Sequence, residues 1–169
     1  MKEIYLAGGC FWGIEHLIKQ LDGVIDTTTG FANGNPDIIA PTYEQVYTDT
    51  TGFAETVRVV YDPSIIGLDT LLGIFMIAID PTSLNKQGED EGTRYRTGIY
   101  YTDTEDLDFI RRKIDEAGQR YNKPIVVEVE PLREFYAADE RHQDYLDKNP
   151  GGYCHISPEL FDLARRLRK

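Results

Sequence analysis

A chain of 169 residues is about one domain long and is enough to bury one sizeable core. Lys and Arg number 18 against 29 Asp and Glu, a net charge of −11, which excludes the basic footprint that nucleic acid or an anionic membrane surface requires. With 41% hydrophobic residues and 11 Tyr the chain is no disordered acidic tail, and two cysteines cannot build a disulfide framework, which leaves one bridge or two free thiols.

Ile4 to Ala7 is a short apolar run ending in Gly8-Gly9 and reads as a buried strand and a turn. Phe11, Ile14, Leu17, Ile18 and Leu21 then fall at helical spacing, with Asp22-Gly23 as a stop signal. Val24 to Phe31 is Thr-rich and reads as a strand, and Ala32 to Thr42, with two Asn and two Pro, as a loop. Glu55 to Tyr61 alternates, placing Val57, Val59 and Tyr61 on one face until Asp62-Pro63 ends the strand. Thr70 to Ile79 is an apolar helix capped by Asp69, followed by a polar loop from Thr82 to Thr93 and a strand from Arg94 to Tyr101. Thr104 to Tyr121 is an amphipathic helix with Leu107, Ile110, Ile114 and Tyr121 inward. A strand from Ile125 to Val129, a short helix from Asp139 to Leu146, a turn at Asn149–Gly152 and a helix from Pro158 into the basic Arg165–Lys169 end complete the chain.

This order predicts an α+β fold. It is a two-layer α/β sandwich with a mixed or antiparallel sheet, a ferredoxin-like core, long loops and a C-terminal coil and helix. Met1 to Leu6 lacks the apolar run and cleavage site of a secretory leader, and the longest apolar stretch, Leu71 to Ile79, is far short of a membrane span. The expected setting is cytoplasmic, where thiols stay reduced, with no membrane and no nucleic-acid partner.

The chemistry concentrates in Gly8-Gly9-Cys10-Phe11-Trp12-Gly13. Cys10 sits where a strand hands over to a helix, whose free N–H groups and dipole favour a thiolate, the nucleophilic form of cysteine. Phe11 and Trp12 offer walls for an apolar pocket. The alternative is a small core cysteine beside packing aromatics. Cys10, His16, His142, Cys154 and His155 lack chelate spacing, so no metal is expected. His16 then reads as a polar helix position and His142 as a hydrogen-bonded helix residue.

Gly9-Cys10-Phe11-Trp12-Gly13 resembles the signature of the peptide methionine sulfoxide reductase A family. The likeness extends through Pro41-Thr42-Tyr43, Gly52-Phe53-Ala54-Glu55, Gln87 to Arg96, His142-Gln143-Asp144-Tyr145-Leu146 and Gly152-Tyr153-Cys154. It implies reduction of methionine S-sulfoxide, free or in oxidised proteins and peptides. By motif, Cys10 is the nucleophile, Glu55, Tyr43 and Tyr95 bind and protonate the sulfoxide oxygen, Asp90 supports them, and Phe11 and Trp12 hold the substrate methyl group. Glu55 in an apolar site would have the raised pKa a proton donor needs. Alone, Glu55 and Asp90 would read as solvated charges, and the two tyrosines as core.

The resemblance further implies a sulfenic acid on Cys10, a Cys10–Cys154 disulfide, and electrons from thioredoxin, or dithiothreitol in vitro, with no bound cofactor. Residues 1–169 would form one catalytic domain, working as a monomer, with a mobile segment around 148–157 carrying the resolving Cys154. Phe53 stands where the family usually has His, Tyr47 where several members have Cys, and Arg141 where Tyr is usual. No cysteine follows Cys154, so a two-cysteine cycle is expected. A thiol peroxidase, which would need an Arg near the thiolate, and a non-catalytic binder of oxidised methionine are the alternatives.

Overall fold

The computed structural model describes residues 1–152, 154, 156 and 158–166. It begins with β1 (Lys2–Gly8), α1 (Phe11–Ile18), β2 (Val24–Ala32), α2 (Tyr43–Tyr47), β3 (Ala54–Tyr61) and α3 (Leu68–Ala78). A small hairpin, β4 (Lys86–Gln87) and β5 (Asp90–Glu91), precedes β6 (Thr97–Tyr101) and α4 (Leu107–Gly118). Then come β7 (Glu128–Pro131), β8 (Phe135–Ala137), α5 (Tyr145–Lys148) and α6 (Pro158–Arg166).

Six strands form one mixed sheet in the order β7-β6-β1-β3-β2-β8, antiparallel except for the β6–β7 pair. Within it, β6-β1-β3-β2 with α1 and α3 is the expected ferredoxin-like α+β core: each βαβ crossover skips a position that an antiparallel strand fills. Alternation along β1 divides the two faces. Ile4 and Leu6 pack with Ile14, Leu17, Leu71 and Phe75 of the helices. Tyr5 and Ala7 face the other way, with Ala54 and Tyr100, under Leu132 and Phe135.

Local hydrogen bonding trims several expected elements. α1 stops at Ile18 because Gln20 and Leu21 close tight turns onto Leu17 and Ile18. Thr93–Tyr95 is a 3-10 turn, so β6 begins only at Thr97. α4 ends at Gly118, which leaves Tyr121 39% exposed instead of inward. The strand expected from Ile125 begins at Glu128, since Val126 N–H bonds the Pro81 carbonyl at 2.8 Å. Asp139 to Leu146 is no single helix: a 3-10 turn at Glu140–His142 meets Asp144 at φ 53°, and α5 follows.

Side chains anchor that region. The Gln143 carbonyl oxygen accepts the Thr29 N–H, and its amide donates to the Thr29 and Ala138 carbonyls, each at 2.9 Å. From α1, the buried Glu15 carboxylate accepts the Asp144 N–H at 2.7 Å and the Thr27 hydroxyl at 3.1 Å. Burial pushes Glu15 up to about 7.

Candidate active site

β1 ends in Gly8-Gly9, and Cys10 is the N-cap of α1. Glu55, near the start of β3, brings its carboxyl to the same helix end, where Oε1 accepts the Phe11 N–H at 3.1 Å. The Trp12 amide favours the sulfur anion. The unpaired donors of the helix are thus shared between a carboxyl and a thiol. The helix end favours the thiolate as expected, but burial opposes it. Cys10 is only 6% exposed, and burial, followed by the charge of Glu55, pushes its thiol well above the usual range despite the amide.

Glu55 is 1% exposed, and its Oε2 has no partner among the described residues. Burial pushes it up to about 8, against the Phe11 N–H and the Arg94 charge, which favour the carboxylate. Tyr43 opens α2, Tyr95 closes the turn before β6, and Asp90 lies on β5. These segments converge on Glu55: its charge adds to burial in raising both phenols, and Tyr43 also feels Cys10. Asp90 is raised by burial, and its buried Oδ2 likewise lacks a partner among the described residues. The five polar residues named from sequence therefore form one enclosed group. It pairs a thiol with a carboxylic acid that stays largely protonated near neutral pH.

The aromatic pair divides its work. Phe11 is a buried floor, 6.3 Å from the Tyr43 ring and 5.7 Å from Phe31. Trp12 stacks on Tyr145 at 3.8 Å and donates through Nε1 to His142 Nδ1 at 3.2 Å. Trp12 and Tyr43 also line a neighbouring cavity of 480 Å³, with Tyr47, His142 and Tyr145 as further walls and the Glu44–Arg141 ion pair at its edge. Cys154 sits over α1, where a Cβ on Gly13 would stand 2.9 Å from its sulfur. Both cysteines are free thiols.

Several participants escaped the sequence reading. α2 carries a legible signal, Thr42-x-x-Gln45, whose two reciprocal bonds at 3.1 and 2.8 Å form a capping box. Arg94 lies within the matched Gln87–Arg96 block but is given no role there, and its partner Asp49 carries no signal beyond charge. Phe53 is buried, edge-on to Tyr136 at 5.8 Å. His16 meets Phe161 edge-on, and His142 serves Trp12 from its 3-10 turn. Among the described residues no group of three or more His, Cys, Asp or Glu is placed to hold a metal. No helix among them is long and apolar enough to cross a membrane. Tyr153 and His155, named in the motif and metal readings, and the terminal Leu167, Arg168 and Lys169 lie outside the described residues.

Comparison with known proteins gives the same direction. The family model for peptide methionine sulfoxide reductase matches residues 2–167. A Clostridium acetobutylicum protein named peptide methionine sulfoxide reductase MsrA is 52% identical over 160 residues, covering 95% of this chain and 98% of that protein. The crystal structure of reduced Mxr1 from Saccharomyces cerevisiae superposes with a TM-score of 0.88 at 38% identity, covering 92% of this chain and 91% of that one. Mxr1 in complex with Trx2 superposes at 0.60, with 29% identity and coverage of 85% and 84%. The chain belongs to the peptide methionine sulfoxide reductase family and is an oxidoreductase that reduces methionine sulfoxide.

Proposed function

We propose that Cys10 reduces methionine S-sulfoxide, free or in oxidised proteins, by attack of its sulfur on the sulfoxide sulfur with Glu55 as proton donor. The observation that carries this reading is the buried Glu55 carboxyl, with Oε2 unpartnered among the described residues, at the helix end that presents Cys10. A sulfoxide oxygen leaves only when protonated. Glu55 supplies that proton, and the neutral phenols of Tyr43 and Tyr95 hold the oxygen without adding charge. Asp90 supports the same oxygen site. Protonated Glu55 puts no charge on Cys10, and as it gives its proton to the oxygen its carboxylate takes up the Cys10 proton, so the two protons balance. Trp12 and Phe11 receive the substrate methyl group, and the fixed hand of the oxygen site selects one epimer.

The oxygen then passes from the substrate sulfur to Cys10 as the bond between the two sulfurs breaks, which leaves a sulfenic acid on Cys10 and releases methionine. The Cys154 sulfur attacks that sulfenic acid, forming the Cys10–Cys154 disulfide and releasing water. A thioredoxin-type dithiol then takes up the disulfide exchange, returning both thiols and becoming oxidised itself. The complex of the yeast relative with Trx2 supports this donor. The two electrons come from thiols, so the cycle calls for no bound cofactor, and a reducing cytoplasm maintains the donor. Residues 1–169 act as one catalytic domain, a monomer whose 148–157 segment moves Cys154 between its seat on Gly13 and Cys10.

Reduced enzyme mixed with each sulfoxide epimer, without reductant, tests the cycle. About one methionine per chain is expected from the S epimer only, with both thiols lost. Cys154→Ser should still release one methionine but stop cycling with thioredoxin; full thioredoxin-supported turnover in that variant would discard the resolving role. Gly13→Ala places a methyl group in the seat of Cys154. It should slow thioredoxin-supported turnover roughly tenfold while changing the first turnover by less than about twofold, measured by rapid quench.

A further inference from the structure

Arg94 is a charged residue folded inward beside the oxygen site, 8% exposed. Its Nη1 donates to Asp49 Oδ2 at 2.5 Å, and its backbone N–H to Asp49 Oδ1 at 3.1 Å. The guanidinium carbon lies 4.2 Å from the ring centres of both Tyr47 and Tyr95. Thr93 adds its hydroxyl to Asp49 Oδ1 at 3.3 Å, so one carboxylate pins the whole turn that carries Tyr95. The pair fits only because Gly92, at φ 144°, has no side chain: a Cβ there would stand 2.4 Å from Asp49 Oδ2 and 2.7 Å from Arg94 Nη1. The Arg94 Nε is buried without a partner among the described residues, as are Glu55 Oε2 and Asp90 Oδ2.

We infer that Arg94 is a positioning residue of the reduction: pinned by Asp49 and set against Tyr47 and Tyr95, its guanidinium orients the Tyr95 phenol and places a fixed positive charge beside the strand that carries Glu55. The inference rests on Glu55 being the proton donor. The turn that carries Arg94 and Tyr95 packs against β3, which carries Glu55. The charged and titratable groups coupled to Glu55 are Cys10 at the α1 N-cap, Tyr43 on α2, Asp49 after α2, Asp90 on β5, and Arg94 and Tyr95 on that turn. The anions Asp49 and Asp90 oppose ionisation of Glu55, and Arg94 favours it. Removing the guanidinium charge therefore makes Glu55 a weaker acid.

The test separates charge from shape with Arg94→Gln, Arg94→Met and Arg94→Lys. The midpoint of Glu55 is read in reduced enzyme from its protonated-carboxyl infrared band, identified by its absence in Glu55→Gln. Arg94→Gln and Arg94→Met should move that midpoint upward by about one pH unit and displace the pH profile of single-turnover methionine formation in the same direction. Arg94→Lys should hold the midpoint and slow the first turnover roughly tenfold, because an ammonium keeps the charge without the planar stack on Tyr95. Arg94→Met retains an apolar stem between the rings, so the charge test stands even if Arg94→Gln folds poorly. Equal midpoints in the wild type and in the neutral variants would overturn the inference, whatever their activity. A wild type that forms no methionine would instead remove the proposed chemistry, while the infrared midpoint still reports the Arg94–Glu55 coupling.

Discussion

Cys10→Ser should form no measurable methionine from sulfoxide, a loss of at least about 10⁴-fold in single-turnover rate. The reason is electronic as much as steric. Reduction of a sulfoxide takes two electrons, which a thiol sulfur gives up in becoming a sulfenic acid and a serine hydroxyl cannot. The change removes little bulk from a residue that is already 6% exposed, so thermal unfolding should show a folded protein. Methionine formation surviving in this variant, at any pH, would move the chemistry elsewhere.

Glu55→Gln should slow the first turnover by about 10²- to 10⁴-fold, the usual range for loss of a positioned proton donor. The amide oxygen still accepts the Phe11 N–H, so the helix end survives while the acid is lost. The wild-type rate should fall as pH rises through about 8, where Glu55 ionises. Stability carries the same signature. The folded protein holds the Glu55 proton more tightly than the unfolded chain, whose carboxyl titrates near 4.5. The Glu55 contribution to stability is therefore lost as pH rises from about 4.5 to about 8, and Glu55→Gln removes that part of the pH dependence while Glu15, pushed up to about 7, keeps its own. Denaturant midpoints at pH 5 and pH 8 for both proteins check the sign; parallel behaviour would mean that Glu55 is not held protonated.

The core was legible because it follows period. Val57, Val59 and Tyr61 alternate, and Ile14, Leu17 and Ile18 recur at helical spacing, so burial and element type followed from sequence. Ends were less legible because they depend on tertiary partners. Glu128 to Pro131 becomes a strand only where β6 offers a parallel edge, and β8 exists because β2 leaves Gly30 to Ala32 unpaired on one side. At the site, the sequence named the residues and pointed to the raised Glu55 carboxyl, but not to the raised Cys10 thiol. Helix-end position points the Cys10 thiol down; depth and the Glu55 charge, which no linear pattern displays, point it up. Arg94 and Asp49 lie 45 residues apart and meet only through the fold.

The Gln143 side chain stands in for a strand: its one amide satisfies both main-chain groups of Thr29. Detachment of the chain beyond Ala138 would break the contacts of Gln143 and Glu15, the Trp12–Tyr145 stack and the core packing of Ile156, Leu160, Phe161 and Ala164, but would leave the β2–β3 ladder whole. Such an opening is sub-global, because the sheet does not depend on that segment for its ladder. In the proposed cycle, the frame that holds Glu55 opposite Cys10 stays folded while the C-terminal thiol passes through oxidation, disulfide exchange and re-reduction.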